Sequence, residues 1–272
     1  MVNVKDIRVE RIDAASARAF VRRHHYSGKV VANSQLHFGA FHEGKLHGVM
    51  SFGPSMDKSK VLHLVEGTGW NEFIELNRMA FGPALPRNSE SRCIAVALRL
   101  LRKHCPHIKW VLSFADGTQC GDGTIYRASG FLLTKIAANR TLIQLPTGKR
   151  IADMTFKSDP NCKEIREACA FMGIEVKYRT VTQWVALGCK PVPGFQLRYI
   201  YLLDKTARLT VPVLPYSRID EMGAGMYKGQ NVPISQRKPT PAPEAQMDER
   251  LDSIKEAGGS IPTPALTLTP AP

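Results

Sequence analysis

The sequence has no Cys-x-x-Cys pair. Its six cysteines (Cys93, Cys105, Cys120, Cys162, Cys169 and Cys189) are scattered, which argues against a zinc ribbon or a disulfide framework and leaves reduced, mostly buried thiols as the expectation. No apolar stretch approaches the roughly 20 residues of a membrane-spanning helix and no basic amphipathic anchor stands out, so no membrane partner is expected. The first residues, MVNVKDIRVERID, are charged from Lys5 onward and lack the apolar core of a signal peptide, which predicts a cytoplasmic protein. None of the eight histidines falls in a zincin-like spacing, although a metal held by His25 and an acidic residue, iron for instance, stays open. Acidic residues are also scarce. Against 37 Lys and Arg there are 24 Asp and Glu, a formal charge of +13 that favours a polyanionic partner, with nucleic acid the first candidate.

What is present suffices for a core: 272 residues, 43% of them hydrophobic, allow one large domain or two small ones. The chain is organised around SFADGTQCGDGTIYRASGF. Residues 110–115 read as a strand buried on both faces, because they lack the alternation of a half-exposed strand. Asp116 follows, then a loop with Gly117, Gly121 and Gly123, then a short helix over 124–129 stopped by Gly130. Ligands of open α/β sheets bind beyond the carboxyl ends of strands, which places Asp116, the loop amides and Tyr126 where a reacting group can sit. An ordinary helix-capping aspartate is the competing reading.

Residues 7–12 alternate as a strand, and Asp13 can cap a helix from 14 to about 23. That helix runs into Arg22, Arg23, His24, His25, Tyr26, Ser27, Gly28 and Lys29. Basic groups at a helix C-terminus suit its dipole; equally, they can wall a basic pocket in which Tyr26 stacks on a base. Residues 36–42 and 45–52 form strands joined by Glu43 and Gly44, and residues 70–81 suit a long strand with an irregularity near its middle, with helix as the rival. Residues 89–104 form a helix with an apolar face. Its other side carries Arg92, Arg99 and Lys103, either a solvated stripe or contacts to phosphates. Strands are expected at 131–136, 140–145 and 196–203, a helix at 161–172, and an insertion over 149–190. From 230 to 272 the composition turns to Pro, Thr, Ala and Gln, which predicts a disordered tail after a catalytic domain over 1–229.

This order of elements resembles the GCN5-related N-acetyltransferase architecture, an α/β (α+β) mixed sheet flanked by helices in which a donor lies where two central strands splay apart. More specifically, HHYSGK, FGAF followed by GVMSFGP, ELNRMAF, NSESR, SFAD and GTIYRASGF together look like the Mom family of phage DNA-modification proteins. The similarity spans residues 20–136 and continues more weakly through GCKPVPG and RYIYLLD. That family is associated with converting the N6 amino group of adenine in DNA to a carbamoylmethylated amine, which protects phage genomes from restriction. The resemblance therefore implies a transferase acting on double-stranded DNA in the host cytoplasm. It implies catalytic roles for Arg78, Ser91, Asp116 and Tyr126, and a substrate-binding role for Tyr26 with His25 and Lys29 beside it. Arg22, Arg23, Arg92, Arg99 and Lys103 are the candidate DNA contacts.

One departure from the acetyltransferases is visible. The usual glycine-rich pyrophosphate loop is replaced by GPALPRNSES, whose prolines lack donor amides. A glycyl donor such as glycyl-tRNA is accordingly expected over acetyl-coenzyme A. Two other readings compete: a conventional acetyl-coenzyme A-dependent N-acetyltransferase of a protein or small-molecule amine, and a non-catalytic DNA-binding module.

Overall fold

In the computed structural model, which describes residues 4–139 and 142–237, the chain builds a mixed α/β fold around one large sheet. The elements in order are β1 (Arg8–Arg11), α1 (Ala14–His24), β2 (Leu36–His42), β3 (Lys45–Gly53), α2 (Lys58–Val61), β4 (Phe73–Phe81), α3 (Ser89–His104), β5 (Trp110–Asp116), α4 (Thr124–Ala128) and β6 (Leu132–Asn139). They continue with β7 (Leu142–Gln144), β8 (Arg150–Ala152), α5 (Asp153–Ser158), α6 (Lys163–Met172), α7 (Val181–Ala186), β9 (Lys190–Pro191), β10 (Gly194–Leu202), α8 (Ser217–Glu221), β11 (Met226–Tyr227) and β12 (Gln230–Asn231). Among the described residues no helix is long and apolar enough to cross a membrane.

The large sheet runs β1-β2-β3-β4-β5-β10-β6, and its neighbours are antiparallel except for β4 and β5. That parallel pair is registered only from Phe73 opposite Trp110 to Leu76 opposite Ser113. Beyond it the strands part. The cause is local: Ser51 faces Arg78 while Phe52 faces Leu76, so Asn77 is bulged out of the ladder, and the Ser113 hydroxyl donates to the Leu76 carbonyl at 3.0 Å. The irregularity expected within residues 70–81 is this bulge, and the splayed central pair is the feature the acetyltransferase-like architecture requires.

The two faces of the sheet are covered differently. Val49 packs with Ala17 and Val21 of α1, whereas its neighbour Met50 packs with Ile94, Leu98 and Leu101 of α3, the alternation a strand imposes. β5 alternates likewise, with Trp110 and Leu112 toward Val61 and Leu64, and Val111 and Ala115 toward the α3 side. It is buried on both faces, as its unbroken apolar run demands. Asp13 caps α1 through a bond from the Ser16 amide at 2.9 Å, and Gly130, with φ +76°, ends the α4 segment.

Three sequence expectations need correction. First, the insertion starts earlier than residue 149. β7, expected among the strands of the main fold, instead forms a separate sheet, β8-β7-β9, over its own core of Ile143, Ile151, Phe156, Ile165 and Trp184; Arg140 and Thr141 lie outside the described residues. Second, the fold does not end at 229, because β12 pairs with β11 and Arg237 reaches the buried Asp122 at Nη2 to Oδ2 2.5 Å. The disorder expected for 238–272 falls outside the described residues. Third, the thiols are less buried than expected: Cys93, Cys169 and Cys189 are, but Cys120 is exposed, and Cys105 and Cys162 are intermediate.

Candidate active site

Asp116 ends β5 at the mouth of the splay, and its carboxylate does two jobs. Oδ1 accepts the backbone N–H groups of Thr118 at 2.9 Å and Gln119 at 3.1 Å. Oδ2 accepts the Tyr26 hydroxyl at 2.9 Å and the Gln119 side-chain amide at 3.3 Å. The helix-capping reading does not hold, because Gly123 and not Asp116 precedes α4 and the amides on Oδ1 belong to the turn that follows β5. Gly123 lets the loop close. Its φ is +90°, and a Cβ there would sit 2.4 Å from the Tyr199 ring.

Tyr26 comes from the segment after α1. Burial, and then the Asp116 charge, push its phenol well above the ordinary range, so it is the proton donor of the pair. Its ring lies 4.3 Å from that of His25. His25 Nδ1 accepts the Ser27 backbone N–H at 3.2 Å, which puts the imidazole proton on Nε2. Burial and then the Arg78 charge lower His25 from 6.5 to about 4, against the pull of Asp116. A proton NMR titration should therefore place His25 near 4, and Arg78→Ala should raise that midpoint. The sign for stability follows. The unfolded chain takes the proton first, so this histidine costs stability as pH falls from about 6.5 toward 4.

Arg78 sits one residue past the bulge. Its Nε donates to the Lys29 carbonyl and its Nη1 to the Asn77 carbonyl, both at 3.1 Å, which fixes the guanidinium against the α1–β2 segment. Lys29 in turn donates through Nζ to Thr155 Oγ1 at 3.0 Å, so the insertion abuts the wall of the site. Tyr126 packs its ring against Phe131 and Tyr199, both at 5.4 Å. Burial pushes its phenol up to about 12, opposed by a hydrogen bond with Ser113.

Of the residues singled out in the sequence, His25, Tyr26, Lys29, Arg78, Asp116 and Tyr126 thus come together. Ser91 makes no hydrogen bond to them among the described residues: its hydroxyl donates to the Asn88 carbonyl in the first turn of α3, at 3.1 Å. The basic residues are divided by the sheet. Arg22 and Arg23 are exposed on α1, while Arg99 and Lys103 are exposed on α3, which packs on the other face. Arg92 is not part of a plain solvated stripe, because its Nε is buried with no hydrogen-bond partner among the described residues.

Glu75 escaped sequence reasoning. It lies three residues before Arg78 on β4, and burial raises its carboxyl, opposed by a hydrogen bond with Ser55 and by the charge of Arg78. Its electrostatic influence reaches Tyr126. Nothing in ELNRMAF marks it, because on a strand of mostly half-buried residues a carboxylate stands out only once its neighbours are placed.

The residues do not fit the pyrophosphate of coenzyme A at the start of α3. Pro83 and Pro86 offer no amide, the Ser89 amide is used on the Pro86 carbonyl at 3.3 Å, and Glu90 places a carboxylate in the first turn. Among the described residues no group of three His, Cys, Asp or Glu side chains could hold a metal.

The sequence profile of the Mom protein family matches residues 6–218 of this chain. The methylcarbamoylase mom of Escherichia phage Mu is 41% identical over 128 residues, 47% of this chain and 53% of that protein. The match thus spans about half the length of that curated relative. Among solved structures, the ribosomal-protein-S18-alanine N-acetyltransferase of Escherichia coli is 9% identical, with a TM-score of 0.40 over 73% of this chain and 94% of that one. The polyamine N-acetyltransferase of Drosophila melanogaster is 12% identical, with a TM-score of 0.40 over 72% and 100%.

Proposed function

The chain belongs to the Mom protein family, and from that premise we propose that it is a transferase that modifies DNA, converting the N6 amino group of adenine to a carbamoylmethylated amine and so shielding phage DNA from restriction. One observation carries the reading: Tyr26, Arg78, Asp116 and Tyr126, from four separate segments, converge where β4 and β5 part. The relative in phage Mu bears the name methylcarbamoylase, and a formal charge of +13 suits double-stranded DNA as the partner.

Adenine N6 is a weak nucleophile because its lone pair is delocalised into the ring, and the base must leave the duplex to be reached. As the bond from N6 to the donor carbonyl forms, the bond to the leaving oxygen breaks, N6 gives up a proton and the leaving alkoxide takes one. Tyr126, held near 12, is matched to protonating an alkoxide rather than the less basic thiolate. Arg78, fixed by two backbone carbonyls, presents a permanent cation to the developing oxyanion. The acceptor sites of Asp116 are filled, which makes it the holder of Tyr26 and of the loop. Glu75, a carboxyl raised by burial, is the better acceptor for the N6 proton.

A glycyl group and a carbamoylmethyl group are isomers, so transfer followed by internal rearrangement needs no co-reactant. A glycyl ester such as glycyl-tRNA is the favoured donor for that reason and because Pro83 and Pro86 precede α3 and Glu90 lies in its first turn. Nucleoside mass spectrometry on plasmid DNA from cells expressing the chain should find a modified deoxyadenosine whose added mass includes nitrogen. Unmodified DNA in the presence of soluble protein would overturn the reading, and an acetyl adduct would overturn the glycyl donor.

A further inference from the structure

A cavity of about 490 Å³ opens between the residues that follow β3 and the turn that leads into β4. Its volume lies within the usual range of small-ligand pockets, and its lining is unusual for an idle surface. Trp70 is 56% exposed and Met56 72%. Lys58 Nζ lies 4.7 Å from the centroid of the Trp70 ring and donates to Asn71 Oδ1 at 3.2 Å, so indole, ammonium and amide form one preassembled wall. Gln35 and Asn71 supply amides, and none of the lining side chains is a carboxylate.

Each feature answers one part of a nucleotide. An exposed indole offers a face on which any base stacks, a cation meets the backbone phosphate, and amides provide both a donor and an acceptor for a base edge. The cavity is also joined to the reacting groups. Ser55 lines it and hydrogen-bonds Glu75, which precedes Arg78 by three residues, about 10 Å along an extended strand. We propose that this cavity receives an unpaired nucleobase of the DNA strand, stacked on the Trp70 indole with Lys58 against the neighbouring phosphate and the Gln35 and Asn71 amides on the base edge. The identity of the strand as DNA rests on the DNA-modification reading; the chemistry of the pocket does not.

Tryptophan emission tests this directly in the full chain. Trp110 and Trp184 are both 0% exposed, so acrylamide-accessible emission belongs to Trp70. A short single-stranded DNA should quench that emission and shield it from acrylamide, whereas heparin, a polyanion without bases, should not. Trp70→Ala should weaken DNA binding at fixed salt by roughly 5- to 150-fold, the span of base–aromatic stacking, and Trp70→Phe should recover most of it. DNA binding that leaves Trp70 emission and access unchanged overturns the proposal. Stronger shielding by RNA than by DNA of the same sequence overturns the choice of DNA. Because the readout is equilibrium binding, a chain that transfers nothing to adenine would still show the shielding, so failure of the pocket and failure of the proposed reaction are separable.

Discussion

Replacing Asp116 by alanine should lower the rate of DNA modification by about two orders of magnitude, the loss associated with misplacing reacting groups by about 1 Å. The carboxylate receives two loop amides, the Gln119 side chain and the Tyr26 hydroxyl. Alanine frees all of them at once, so the loop at 117–123 and the segment carrying Tyr26 lose their common anchor. Asp116→Asn separates geometry from charge. Its oxygen can still accept the loop amides and its NH₂ can donate to the Tyr26 oxygen and, once the Gln119 amide turns over, to the Gln119 side-chain oxygen, which keeps the arrangement without the negative charge. If Asp116 acts by positioning, the asparagine variant should keep most of the activity that the alanine variant loses. If its charge is needed, both should fall together. Initial rates read as modified deoxyadenosine, with circular dichroism to confirm the fold, decide the matter, and full activity in Asp116→Ala would remove this residue from the site.

The parts of the fold that were legible in the sequence are those whose cause is local. The run at residues 110–115 has no polar alternation because β5 is covered by α3 on one side and by the α2 region on the other. Gly130 marks the end of α4 because the chain needs a positive φ there. The illegible parts depend on distant partners. Nothing within residues 140–145 tells whether an apolar run joins the main sheet or the three-stranded one, since the choice is made by Trp184 and Phe156 packing against it. Glu75 was passed over because its significance lies in burial beside Ser55 and Arg78, which only the β3–β4 register creates. Ser91 illustrates the opposite limit: the motif resemblance singled it out, yet the hydrogen bond it makes stays inside its own helix turn.

The largest stability effect is expected at Asp122, which no motif highlighted. Its side chain is fully buried and faces two guanidinium groups, Arg127 Nη1 at 2.9 Å and Arg237 Nη2 at 2.5 Å, with the Met226 amide at 3.1 Å. Asp122→Ala should destabilise the fold by about 3–5 kcal/mol, because it leaves two cations in a site their side chains barely share with water. Arg237→Ala should cost less, since Arg127 still neutralises the carboxylate. The network also reaches the site. The Asp122 amide donates to the Met226 carbonyl at 2.9 Å and the Gly229 amide to the Cys120 carbonyl at 2.7 Å, so the segment 226–237 is stitched to the loop that begins at Asp116. A chain ending after Lys228 should therefore melt earlier and modify DNA more slowly than one ending after Arg237. Urea unfolding of Asp122→Ala, Arg237→Ala and the double variant should close a cycle with strong coupling, because once Asp122 is gone the second cation keeps only neutral partners, the Val232 carbonyl and the Thr124 hydroxyl. Simple additivity of the two losses would show that Arg237 acts on stability through contacts other than Asp122, and would release the C-terminal segment from its role in holding the loop.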